Sequence, residues 1–211
     1  MLYTTIACLD DLTRDSFWPA KEFMYDLIRV PVFHACGLDL GKSPRRGQRH
    51  NLLPGFDHAE FLRHCGPAAA RGDWAALYGG LPPAAAEYLA RHLPEGALIV
   101  GYEMPVWLRQ LLQHTGHTWL DLRLSPLRFA SDLYLALGTN DPALHARLQP
   151  HAQRVDEVFS EAALMAAQVR YRQRYDSRSY PYEGAWIYIG QTEADASLVD
   201  GQGRFIRVGD H

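Results

Sequence analysis

The chain has 211 residues, 47% of them hydrophobic and 21% charged, with a formal net charge of −3 at pH 7. That composition excludes a disordered tail, a collagen-like rod and a low-complexity scaffold, and the missing basic excess argues against a general nucleic-acid binder. No apolar run approaches the roughly 18–20 residues that cross a bilayer, and the opening MLYTTIACLDD meets acidic residues with no basic leader, unlike a signal peptide.

Three short strands and a series of helices are expected in the first half of the chain. Leu2–Leu9 is a β-rich run that ends at Asp10-Asp11, and a helix is expected over Pro19–Ile28, with Pro19 in its first turn. Pro31–Cys36 (PVFHAC) reads as a second buried strand. Residues 37–56 carry Gly, Pro, Arg and Asn without periodicity and are expected to form a long loop. Helices are expected at Asp57–Cys65, Asp73–Tyr78 and Pro83–Leu93. Ala97–Gly101 (ALIVG) is short, uninterrupted and apolar, as a central parallel strand covered on both faces should be.

Beyond that strand, Met104, Trp107, Leu108, Leu111 and Leu112 recur at helical spacing and Gly116 closes the helix. A strand is expected at Thr118–Leu122, then a mixed stretch over Ser125–Leu137 and a strong turn signal at Gly138–Pro142. The longest helix should lie over Ala152–Tyr171. Its stripe of Val155, Val158, Phe159, Ala162, Met165, Ala166 and Val169 is expected to pack into the core. Polar, Tyr-rich residues 172–183 read as an exposed connection, and a last strand is expected at Ala185–Gly190 (AWIYIG). Alternating β and α elements imply a single α/β domain over 1–211, with a Rossmann-like open, mostly parallel sheet flanked by helices.

Ligands of open α/β sheets bind beyond the carboxyl ends of the strands. Glu103 directly follows ALIVGY there, at the start of a helix, and reads either as a functional carboxylate or as a capping or first-turn acid. Asp195 follows AWIYIG within Gln191-Thr192-Glu193-Ala194-Asp195-Ala196-Ser197. Its small neighbours leave room for a bulky substrate, while an Asx-turn with Ser197 is the structural alternative. Two carboxylates at one sheet edge can divide nucleophile and acid/base work in glycosyl chemistry. Arg128 could fork onto a substrate carboxylate or phosphate, or pair with Asp132 four residues on. Lys42, with Arg45, Arg46 and Arg49, forms a basic loop that attracts an anion or is simply solvated. Because only Lys21 and Lys42 are lysines in an Ala- and Arg-rich chain, arginine clusters carry less weight than usual.

Several chemistries lack their signatures. GKS in the basic loop has no P-loop glycine upstream, and neither GxGxxG nor HExxH occurs. GxSxG is also missing, and no Cys/His spacing suggests zinc. Cys8, Cys36 and Cys65, an odd number, read as reduced thiols of a cytoplasmic protein.

Three segments in order, LIVGYEMPVWLRQLL, TWLDLRLSPLRFASDLYLALGTN and WIYIGQTEADASL, resemble the N-terminal half of retaining β-Kdo glycosyltransferases of capsule and O-antigen synthesis. The likeness covers the second half of the chain well and the first ninety residues weakly. It implies one half of a GT-B-like enzyme that takes an acidic sugar from its CMP conjugate without a metal or other cofactor. By that resemblance Asp195 matches the covalent nucleophile and Glu103 the acid that positions or activates the acceptor. Arg128 and Asp132 match a polar pair nearby, and Gln191, Ser197 and Lys42 are placed among the substrate-binding residues. Such enzymes bind CMP largely through a C-terminal domain with a His-Pro element, and the sequence has no His-Pro dipeptide. The expected partners are therefore an acidic nucleotide sugar, a glycan acceptor and a second transferase domain or chain. The expected setting is the bacterial cytoplasm or, through partners, the inner membrane face. The alternative is a non-catalytic module that keeps the fold and binds a glycan or a protein.

Overall fold

The computed structural model describes residues 3–14, 22–40, 53–124, 134–174, 184, 198–200 and 204–206. Within them the chain is an α/β protein with a four-stranded, mostly parallel open sheet and helices on both faces. The strands are β1 (Ile6–Cys8), β2 (Leu98–Tyr102), β3 (Thr118–Leu124) and β4 (Leu135–Thr139), and they lie side by side in that order. β1, β2 and β3 run parallel, with Cys8 beside Val100 and Val100 beside Leu120, and β4 closes the edge antiparallel to β3. Among these strands the order never reverses, so they form no topological switch point of the kind that shapes dinucleotide crevices.

Alternation along the strands sorts the core into two layers. Ile6, Cys8, Leu98, Val100, Tyr102, Leu120 and Leu122 face α1 (Glu22–Cys36) and α7 (Pro142–Leu148). Ala7, Leu9, Ile99 and Trp119 face α2 (His58–Cys65), α5 (Pro83–Ala90) and α6 (Val106–His114), with short α3 (Pro67–Ala70) and α4 (Ala75–Tyr78) beside them. Every residue of β2 is buried, as ALIVG led one to expect. Asp57 caps α2, its carboxylate accepting from the Ala59 amide at 2.8 Å, and Asp141 caps α7 in the same way with Pro142 at the first helical position. One glycine is indispensable to this packing. A Cβ on Gly101 would sit 2.3 Å from the Leu9 carbonyl, so β1 closes on β2 only around a residue without a side chain.

Two expectations fail. PVFHAC is the carboxyl half of α1 and not a strand. Met24, Tyr25, Ile28, Val32, Ala35 and Cys36 are buried at helical spacing on one face, and that pattern runs straight through Pro31. Proline usually ends a helix because it lacks an amide hydrogen and crowds the preceding turn; here the burial of the flanking turns outweighs that cost. The second failure is the long helix α8 (Val155–Gln173), close to the expected bounds but without a single buried residue. Val155 and Phe159 are each 70% exposed, so the stripe exists and packs into no core among the described residues.

Residues 37–40 and 53–56 carry no helix or strand, as the loop reading expects, and the rest of that loop lies outside the described residues. So does the strand expected at 185–190, and most of the connection expected at 172–183, although α8 extends through Gln173. β4 and α7 emerge from stretches read only as mixed sequence and turn. No helix of the described residues is long and apolar enough to cross a membrane.

Candidate functional site at the carboxyl edge of the parallel strands

The carboxyl ends of β1, β2 and β3 are staggered, each strand reaching two residues beyond the one before, and acidic residues gather there: Asp10 and Asp11 follow β1, Glu103 follows β2, and Asp121 lies within β3 beside Gly101. Beyond β1, Asp10 is 3% exposed and accepts hydrogen bonds from the Tyr25 hydroxyl at 2.7 Å and the Tyr102 amide at 3.2 Å. It thereby ties the end of β1 to the end of β2. Burial, followed by the negative charge of Asp10, pushes the Tyr25 hydroxyl well above its usual pKa, so Tyr25 stays a donor. Asp11 turns the chain as an Asx-turn, one oxygen accepting from the Thr13 amide at 2.8 Å and the Thr13 hydroxyl at 2.7 Å.

Glu103 follows β2 and is the one described non-glycine residue with positive φ, at 49°. A left-handed conformation costs an L-residue roughly 1–2 kcal/mol, and it persists only where neighbours over-determine it. Here β3 does so. The Glu103 amide donates to the Leu122 carbonyl at 2.8 Å, and the Met104 amide donates to Asp121 Oδ1 at 2.8 Å. Arg123 Nε donates to Asp121 Oδ2 at 2.8 Å while its Nη2 reaches the Met104 carbonyl at 3.4 Å. Helix α6 begins only at Val106 with Pro105 as its cap, so Glu103 neither caps it nor lies in its first turn. The Glu103 side chain stays 39% exposed, with Arg14 Nη2 3.6 Å from Oε2. The Arg14 guanidinium in turn lies 5.2 Å above the Trp74 ring and 3.8 Å from Asp11 Oδ2.

Asp121 is 2% exposed. Burial raises its pKa above the ordinary aspartate range, against the opposing pull of the Met104 amide and of Arg123. For Arg123 burial works to lower the pKa, but the charge and hydrogen bond of Asp121 prevail and raise it, with smaller contributions from Tyr78 and Glu103. Asp10, Asp11, Glu103, Asp121, Arg14 and Arg123 thus form one polar cluster in which Glu103 is the most exposed acid. A carboxylate so placed can take a proton from, or hydrogen-bond, a hydroxyl of a bound molecule. Among the described residues no group of three or more His, Cys, Asp and Glu is arranged to hold a metal ion.

Of the residues singled out in the sequence, Glu103 is placed in this cluster. Asp195, Gln191, Ser197, Arg128, Asp132 and Lys42 lie outside the described residues. Sequence reasoning missed Asp121 and Arg123, although the alternation Trp119, Asp121, Arg123 sets both on one face of β3. It passed over Asp10 and Asp11 as a strand end. Arg14 and Trp74 meet only through the tertiary fold and left no local signal. A cavity of about 530 Å³ between α1, β4, α7 and α8 contains none of these groups; it is lined by Leu27, Pro31, Leu137, His145, His151 and Val158 among others.

No family model, no curated protein and no solved structure matches the chain. The functional reading therefore rests on this sheet edge and on the three sequence segments.

Proposed function

We propose that the chain is a glycosyltransferase-like domain of bacterial surface-polysaccharide synthesis that transfers an acidic sugar, Kdo, from its CMP conjugate with retention. In this reading the Asp195 carboxylate attacks the anomeric carbon, the bond to the phosphate oxygen breaks, and CMP leaves with the electron pair. An acceptor hydroxyl then attacks the same carbon and displaces Asp195, and its proton passes to Glu103. The observation that carries the reading is Glu103: a strained residue, clamped from β3, that presents a 39% exposed carboxylate at the edge where α/β sheets bind ligands. The assignment of Asp195 comes from the resemblance alone.

A second reading is favoured by the guanidinium of Arg14, which faces Glu103 at 3.6 Å and lies over Trp74. A cation and an indole beside a carboxylate suit the holding of an acidic glycan without turnover. The test is transfer from CMP-Kdo to oligosaccharide acceptors, with any second domain supplied, combined with intact-mass detection of a glycosyl adduct. Asp195→Ala should abolish transfer and adduct, and Glu103→Gln should slow transfer about 10²–10⁴-fold. Wild-type turnover in Asp195→Ala would refute the mechanism. Calorimetric binding of acidic oligosaccharides without turnover, unchanged in Asp195→Ala, would select the binding module.

A further inference from the structure

Helix α8 spans nineteen residues and buries none of them. In proteins most of a helix's stability comes from the packing of an amphipathic face. The side of α8 that meets the body is settled: Val158 lines the cavity beside α1 and β4, and Glu161 accepts a hydrogen bond from the Tyr134 hydroxyl at 2.6 Å. Val155, Phe159, Ala162, Ala166 and Val169 form a row beside that side, with Ala162 half-buried at the border with the body and the other four exposed. They are spaced 4, 3, 4 and 3 residues apart. That is the spacing of a coiled-coil seam. Phe159 and Val169 on this row are 70% and 47% exposed.

The charges beside the row reverse along the helix. Asp156 and Glu157 stand in the first turn, and Arg170 and Arg172 stand in the last. The helix macrodipole favours that polarity by itself, but it gives no reason for an apolar seam to stand in the open. We propose that α8 docks on the α8 of a second copy of this chain, the two helices packed antiparallel through this row about a two-fold axis that passes between them midway between Ala162 and Ala166. Antiparallel pairing places Phe159 against the partner's Val169 and Ala162 against the partner's Ala166, so the small layer lies at the crossing and lets the backbones approach. The flanking positions then bring Asp156 to the partner's Arg170, twice by symmetry. Within one chain Asp156 pairs with Arg154 at 2.8 Å, but both are more than half exposed, and such a pair exchanges partners at little cost. The acidic first turn disfavours an anionic lipid surface as the occupant, since interfacial helices carry basic residues along the polar face.

Sedimentation velocity on the full chain tests this with a reciprocal charge exchange. The wild type should sediment at twice the 23.8 kDa chain mass. Asp156→Arg with Glu157→Arg makes both ends of the helix basic, and Arg170→Glu with Arg172→Glu makes both acidic. Each variant alone should self-associate about tenfold or more weakly, and an equimolar mixture of the two should recover the dimer. Phe159→Gln, which changes no charge, should also weaken the dimer about tenfold or more, and it replaces the exchange if circular dichroism finds a charge variant unfolded. A wild type that stays monomeric throughout a concentration series would overturn the proposal. So would folded charge variants that dimerise like the wild type, or that stay monomeric when mixed. Wild-type flotation with anionic vesicles that is lost in Phe159→Gln, with no dimer formed, would assign the row to lipid instead.

Discussion

Replacing Glu103 separates what the backbone wants from what the site needs. At φ 49° the residue occupies the left-handed region, which costs a non-glycine residue roughly 1–2 kcal/mol relative to glycine. Glu103→Gly relieves that strain, and part of the gain is returned because glycine gives the unfolded chain more freedom. It also removes the contact with Arg14 at 3.6 Å; with the carboxylate 39% exposed, that pair is worth no more than about 0–1 kcal/mol. Glu103→Ala loses the same contact and keeps the strain. The glycine variant should therefore be more stable than the alanine variant by about 1 kcal/mol, which in a domain of this size is about 2–4 °C in Tm. Under the proposed function both variants should lose transfer, and under the binding reading both should lose glycan binding. Calorimetric melting beside the activity assay checks the two halves separately. An alanine variant as stable as the glycine variant refutes the strain, and a fully active glycine variant refutes the site.

Gly101→Ala should cost on the order of 3 kcal/mol, because its Cβ would meet the Leu9 carbonyl at 2.3 Å and backbone cannot give way as a side chain can; a loss under about 1 kcal/mol in urea unfolding would contradict the close approach of β1 and β2. Asp121→Asn must turn an amide N–H₂ toward either the Met104 amide or Arg123, so it should destabilise by about 1–3 kcal/mol. Burial raises the Asp121 pKa in the folded state, so its contribution is full below the unfolded value and is lost as pH rises through the folded one. The advantage of the wild type over Asp121→Asn should accordingly shrink from about pH 4 upward, and unfolding free energies that diverge with rising pH would mean that Arg123 outweighs burial. Cys8, Cys36 and Cys65 are buried, and burial, with the charge of Asp11 adding to it, pushes the Cys65 thiol up to about 11. Native protein at pH 8 should label with a disulfide reagent only as fast as it opens, and prompt labelling of Cys65 would contradict that environment.

The elements that were legible in the sequence are those whose local preference and tertiary role agree. β2 is apolar throughout and lies inside the sheet, and the helix expected from Asp57 onward forms at His58 with Asp57 as its cap. Pro31 breaks that agreement, since local sterics favour an extended chain before proline while burial of Ile28, Val32 and Ala35 on one face carries the helix through. The α8 stripe shows the opposite limit: periodicity identifies an apolar face but not what covers it. In the site, Glu103 was visible because it stands directly after an apolar strand. Asp121 and Arg123 were masked by an alternation that also fits an ordinary half-exposed strand, and Arg14 reaches Glu103 across eighty-nine residues of sequence, counted from their numbers.

Which force holds the Glu103 turn follows from magnitudes. A helix N-terminus beside a carboxylate offers about 0.3–1 kcal/mol, too little to offset left-handed strain of roughly 1–2 kcal/mol. The hydrogen bonds from the Glu103 and Met104 amides to Leu122 and Asp121, with Arg123 closing on the Met104 carbonyl, contribute about 0.5–1.5 kcal/mol apiece and together exceed it. The turn is therefore built by β3 and not by α6. The buried acid of the cluster, Asp121, orders the backbone, and this leaves the exposed acid, Glu103, as the group with chemistry to spare.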